Sequence, residues 1–142
     1  MAFCPLDYRY GCKDFKEIWS ELGRHQRQLE VERALVWAHK EMGKVSEEDY
    51  AKVAEIAVPS VVTKERVSEI EAETRHDIMA LTKAMAEAAG EAGWCIHLGA
   101  TANDIVDTAV GYNSEIPLFY YVRNFANSLK LLQISLRKNV IL

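Results

Sequence analysis

Residues 118–136 read Leu-Phe-Tyr-Tyr-Val-Arg-Asn-Phe-Ala-Asn-Ser-Leu-Lys-Leu-Leu-Gln-Ile-Ser-Leu. They place Leu118, Val122, Phe125, Leu129, Leu132 and Leu136 at successive spacings of four, three, four, three and four. A helix returns side chains at those intervals to one stripe, because about 3.6 residues complete a turn. The stripe is a heptad-like seam, and such a seam calls for a partner helix. Two partners are compatible with it: this chain's own core, or a bundle between subunits. Pro117 suits the first turn of this helix, and Gly111 to Ser114 reads as a turn before it. The expected division is therefore 1–110 for a helical domain and 111–142 for a turn and a bundle or interface helix.

Upstream, the period stays helical. Phe15, Ile18, Trp19 and Leu22 share a face of a first helix that Gly23 interrupts. Val31, Leu35, Ala38 and Met42 form the apolar stripe of a second, and Gly43 suits a left-handed C-cap. Ser46 caps a third, with Glu47, Glu48 and Asp49 over the positive end of its dipole and Tyr50, Val53, Ala54 and Ala57 inward. Pro59 ends it. Thr63 caps a short charged helix carrying Val67 and Ile70, and a fuller one carries Ile78, Leu81, Met85 and Ala88. Cys95 to Asn103 reads as a loop into a helix starting near Asn103. Strand signals are weak everywhere, so the class is all-α.

Composition narrows the function. The 142 residues suit one domain. Apolar residues make up 49% and charged residues 27%, an ordinary globular balance. A net charge of −4 gives no electrostatic footprint for nucleic acid. No stretch approaches the roughly 18 apolar residues of a membrane span, and Met1 to Pro5 lacks the basic start of a secretory signal. Cys4, Cys12 and Cys95 contain no CxxC pair, so a reducing cytoplasm without a disulfide framework is expected. A zinc site from these cysteines and His97 lacks paired close spacing. There is no phosphate-binding glycine loop and no GxSxG. The acidic run at 47–49, and Glu65, Glu69, Glu71 and Glu73, read as solvated helix faces.

Three polar groups stand out. Asp7-Tyr8-Arg9-Tyr10-Gly11 offers a guanidinium and two phenols, suited to gripping a phosphate or to pinning an N-terminal arm by ion pairs. Thr74-Arg75-His76-Asp77 opens a helix, where a histidine can move protons and an anion can meet free backbone N–H groups. The same residues equally read as a plain helix cap with an exposed histidine. His97-Leu98-Gly99-Ala100-Thr101-Ala102-Asn103-Asp104 offers a hydroxyl and an amide beside a close-approach glycine, or simply a polar N-capping loop.

The three groups occur in order, together with Ile18-Trp19, Leu29-Glu30-Val31-Glu32 and Asp107-Thr108-Ala109. Over about residues 5 to 110 this arrangement resembles the adenylosuccinate lyases of the fumarase/aspartase superfamily. The resemblance implies an all-α N-terminal helical domain of that fold, followed by the start of a long bundle helix. It implies β-elimination of fumarate from a succinyl-nucleotide in purine biosynthesis, with no metal or organic cofactor, in a homo-oligomer (a tetramer in the family) built through a helix bundle. By position, Arg9 and Tyr10 look like the phosphate grip. Arg75, His76 and Asp77 look like nucleotide contacts, with His76 in a supporting catalytic role. Thr101 looks like a donor to the succinyl carboxylate, with His97 in a supporting role in the same loop and Asn103 beside them as a further substrate contact.

Two departures bear on activity. Ala102 stands where the family has serine. That removes a hydroxyl donor whose charge-assisted bond is worth about 1.5–3 kcal/mol. The family's acid lies in a Thr-His-Gly-x-His segment and its base in a Ser-Ser-x-Met-Pro-x-Lys-x-Asn loop, and neither occurs in these 142 residues. The chain is therefore expected to be truncated and inactive alone, binding a succinyl-nucleotide or AMP. The alternative is a non-catalytic helical interaction module or a pseudoenzyme derived from the lyase.

Overall fold

A computed structural model of the chain describes residues 13–139. Six α-helices follow one another among them: α1 (Lys13–Ile18), α2 (Glu21–Glu41), α3 (Glu47–Ile56), α4 (Lys64–Thr74), α5 (Asp77–Ala89) and α6 (Ala102–Asn139). A 3-10 turn, Gly90–Cys95, lies between α5 and α6, and the described residues contain no strand. α2 packs on α3 and α6, α4 pairs with α5, and α3 and α5 meet the 3-10 turn. The core between them holds Leu29, Val53, Ile78, Leu81, Met85 and Ile105, all at most 1% exposed. Burying such side chains stabilises the fold by about 1.5–3 kcal/mol each.

The helix starts follow from side-chain oxygens. Ser46 accepts from the Asp49 amide at 3.0 Å. Thr63 accepts from the Arg66 amide at 3.3 Å. Both caps are those the sequence leads one to expect. The buried faces of α3 and α4 also match: Val53, Ala57, Val67 and Ile70 are buried, with Tyr50 and Ala54 partly so. On α5, Ala88 turns out exposed, and Ala84 and Ala89 are buried instead. Exposed Arg66 crosses from α4 to Glu87 of α5 through two bonds of 2.9 and 3.0 Å.

The first interruption falls earlier than Gly23. α1 ends at Ile18, Ser20 caps α2 by accepting from the Gly23 amide at 3.0 Å, and Gly23 lies inside the new helix. The glycine is needed for space: a Cβ there would sit 2.5 Å from the Glu17 carbonyl oxygen and 2.6 Å from that of Ile18.

The face of α2 also differs from its expected apolar stripe. Val31, Leu35 and Ala38 are only partly buried, and Met42 is 59% exposed. The buried positions are His25, Gln28, Leu29, Glu32, Val36 and His39, which recur at helical spacing but are mostly polar. Polar partners elsewhere in the fold, described below, make this burial possible.

The turn expected at Gly111 to Ser114 does not form, and Pro117 does not begin a helix; α6 runs unbroken through both. A proline inside a helix costs about 3 kcal/mol, because it deletes an N–H and crowds the preceding turn. Contacts with α2 offset that cost. Asn113, 2% exposed, accepts from Arg27 Nε at 3.2 Å, and the Arg27 guanidinium lies 4.8 Å from the centre of the Tyr112 ring. Beyond this anchorage, the seam residues Leu118, Val122, Phe125 and Leu129 are 46–63% exposed.

Candidate functional site

α2 is the element on which the polar groups are arranged. Near its start, Arg24 faces Asp77 at 3.7 Å, and His25 Nε2–H donates to the Val62 carbonyl at 2.7 Å. Two turns on, Glu32 takes hold of His97. Near its end, His39 Nε2–H donates to the Leu98 carbonyl at 2.8 Å. At about 1.5 Å rise per residue, the Arg24 and Glu32 stations lie about 12 Å apart along the helix.

The first station is the start of α5. Arg75 closes α4 in a left-handed conformation, with φ of 53°, and its side chain is exposed. His76 is the N-cap of α5, its Nδ1 accepting from the Met79 amide at 3.2 Å. That acceptance leaves Nε2 of the half-exposed ring as the nitrogen turned to solvent or ligand. Asp77 accepts from the Ile78 amide at 2.8 Å. Thr74, a candidate cap by sequence, instead donates to the Ile70 carbonyl at 3.0 Å. A polar cleft of about 270 Å³ adjoins this station, lined by Arg24, Gln28, Lys64, Glu71 and Asp77 among others.

The second station is the loop before α6. His97 has φ of 61°, a left-handed conformation. Such a twist costs a non-glycine residue about 1–2 kcal/mol. The Glu32 carboxylate meets both the His97 backbone N–H and its ring. The amide donates to Oε2 at 3.1 Å, and Nδ1 lies 2.6 Å from Oε1. Glu32 is fully buried, and burial pushes its carboxyl above the usual range, opposed by the bonds from His97. His97 itself is 24% exposed, and its Nε2 bonds to none of the described residues.

Downstream, Thr101 donates both its amide and its hydroxyl to Asp104, at 2.8 and 3.0 Å. These bonds, with a smaller contribution from nearby His97, hold the Asp104 carboxyl below the usual range. The Thr101 proton is thus engaged, and donating it to a ligand carboxylate requires the hydroxyl to turn. Asn103 is exposed in the first turn of α6. The structure therefore brings His97, Thr101 and Asn103 to one helix start, and Arg75, His76 and Asp77 to another. Arg9 and Tyr10 lie outside the described residues. Among the described residues, no cluster of three His, Cys, Asp or Glu side chains is arranged to hold a metal, and no helix is long and apolar enough to cross a membrane.

Glu32 and His39 are absent from the candidates chosen by sequence. Their signal was their place on the buried face of α2, which a search for apolar periodicity passes over.

The sequence is 50% identical over 109 residues to an adenylosuccinate lyase from Pyrococcus horikoshii, covering 77% of this chain and 24% of that protein. It is 46% identical over 138 residues to one from Archaeoglobus fulgidus, covering 97% of this chain and 28% of that protein. The fold is similar to a fumarate lyase from Mesorhizobium sp. BNC1, with a TM-score of 0.68 and 29% identity over 80% of this chain and 28% of that one. No family profile matches. The chain spans about a quarter of the length of the curated relatives it matches.

Proposed function

We propose that this chain, which belongs by sequence with the adenylosuccinate lyases along about a quarter of their length, supplies ligand-holding groups to β-elimination of fumarate from a succinyl-nucleotide. The observation that carries the reading is 46% identity to one lyase over 97% of this chain, together with the two polar stations that α2 holds through Arg24 and Glu32. In such an elimination a base removes the proton beside a carboxylate, the C–N bond breaks, and an acid protonates the departing nitrogen. The substrate is a polyanion, which suits guanidinium, imidazole and helix-start N–H donors.

The roles follow by position. Arg9 and Tyr10 grip phosphate; Arg75, His76 and Asp77 contact the nucleotide; His97, Thr101 and Asn103 face the succinyl group. The acid and base come from segments other than these 142 residues, in a cytoplasmic homo-oligomer assembled through the exposed face of α6. The units 1–110 and 111–142 then divide ligand holding from assembly, although one helix joins them. The test is to add adenylosuccinate to the purified chain and follow fumarate spectrophotometrically, with AMP binding measured by calorimetry. AMP binding without fumarate release is expected. Robust turnover would refute the assignment of acid and base to other segments, and absence of AMP binding would refute the ligand-holding role.

A second reading, a non-catalytic interaction module, is favoured by one observation: the exposed apolar residues of α6 from Leu118 to Leu129. Under that reading AMP does not bind, and the chain still self-associates.

A further inference from the structure

The Glu32–His97 pair goes beyond what the ligand-holding role requires. A carboxylate with no solvent exposure is costly to bury, and it persists when its oxygens are matched with donors. Here each oxygen has its own partner on one residue, the amide N–H at 3.1 Å and the ring Nδ1 at 2.6 Å. The amide is a permanent donor, so Oε2 is committed to it. With the carboxyl ionised, Oε1 is then an acceptor facing Nδ1, and it is satisfied when Nδ1 carries a proton.

We infer that Glu32 is a positioning residue for His97: it fixes the ring proton on Nδ1 and so leaves Nε2 as the nitrogen offered to a bound anion. In the neutral ring Nε2 is then an acceptor, and after one proton is added it is a donor backed by a carboxylate. An anionic ligand at Nε2 favours the second form, because the imidazolium then lies between two negative groups. Asp104, on the first turn of α6, is a further charged group close enough to His97 to feel its field. The consequence for binding rests on the proposed function above; the placement of the proton does not.

Glu32→Gln separates this role from simple packing. Glutamine keeps the shape but offers one acceptor end and one donor end. The His97 amide claims the oxygen, so the NH2 group faces Nδ1 and the ring must accept there. The variant is therefore expected to move the proton to Nε2. The measurement is long-range 1H–15N correlation of the imidazoles in 15N-histidine-labelled full chain at alkaline pH, with His97→Gln assigning one of the four histidines. Wild type and Glu32→Asp should show His97 protonated at Nδ1, and E32Q should show it protonated at Nε2. A wild-type ring protonated at Nε2, or an unchanged tautomer in E32Q, overturns the inference. If E32Q fails to fold, the wild-type and Glu32→Asp spectra decide alone.

Calorimetric titration with AMP then tests the consequence. About tenfold weaker binding by E32Q is expected, because a neutral Nε2–H donor replaces a charge-assisted one. Equal affinity with a reversed tautomer would overturn the role of Glu32 at the ligand. Absence of AMP binding by the wild type would instead remove the proposed function, with the tautomer result still standing.

Discussion

Replacing Gly111 with alanine discriminates between a turn and a helix in the middle of the chain. A Cβ added at Gly111 meets nothing within 4 Å, and Gly111 has none of the positive φ seen at Gly43, Gly90 and Gly99. In an open helical position, alanine is favoured over glycine by about 1 kcal/mol, because glycine loses more backbone freedom on folding. The gain should register in global unfolding, since the same turns of α6 carry Ala109 at 1% and Asn113 at 2% exposure. With a urea slope of about 2 kcal/mol/M, a gain of about 1 kcal/mol moves the midpoint up by about 0.5 M. Equilibrium unfolding followed by circular dichroism measures this directly. A turn that used glycine at positive φ would give the opposite sign, because alanine is strained there. A midpoint that falls in Gly111→Ala would therefore refute the continuous α6.

Gly23→Ala should instead destabilise by about 1–3 kcal/mol in the same assay. The added carbon meets two carbonyl oxygens that belong to backbone and cannot swing aside. Asp104 has its folded-state carboxyl held low, so its contribution is present above the ordinary carboxylate range and lost as pH falls through its folded value. Asp104→Asn should accordingly flatten the acid-side fraying of the α6 start, read from the Thr101 and Ala102 amide shifts against pH. Val122 and Phe125 are each 56% exposed on the seam. Sedimentation at tens of micromolar should therefore find wild type self-associated and the double variant Val122→Glu, Phe125→Glu monomeric. His39→Leu should change stability by less than about 1 kcal/mol, because water partly replaces the lost bond and no polar atom is left orphaned on the new side chain. The bond in question runs to the Leu98 carbonyl, and the orphan removed is His39 Nδ1. Amide exchange at Gly99 and Ala100 should nonetheless rise in that variant as the loop loosens.

The helical class and most helix starts could be read from sequence because their causes are local. Ser46 and Thr63 cap wherever they precede a periodic run, and Val53, Val67, Ile70, Leu81 and Met85 repeat at helical intervals. The path through Gly111 and Pro117 was not legible. Both residues argue locally for a break, and the contacts that override them, Arg27 with Asn113 and Tyr112, join positions more than eighty residues apart. The seam's period showed in the sequence, but the exposure of Leu118, Val122, Phe125 and Leu129 depends on where the other helices pack.

For the site, the residues with chemistry could be named from sequence, but the groups that hold them could not. Hydrophobic periodicity looks for burial through apolarity, and α2 buries polar groups. His25, Glu32 and His39 each have a specific partner in a connecting segment: Val62 after α3, His97 before α6, and Leu98 beside it. A buried polar side chain left without a partner costs about 1–3 kcal/mol, so each such residue stabilises only one placement of its segment. A more apolar α2 could bury a similar area while allowing the 97–101 loop several positions. The polar face thus specifies geometry more than it adds stability: it fixes where the 97–101 loop sits against α2.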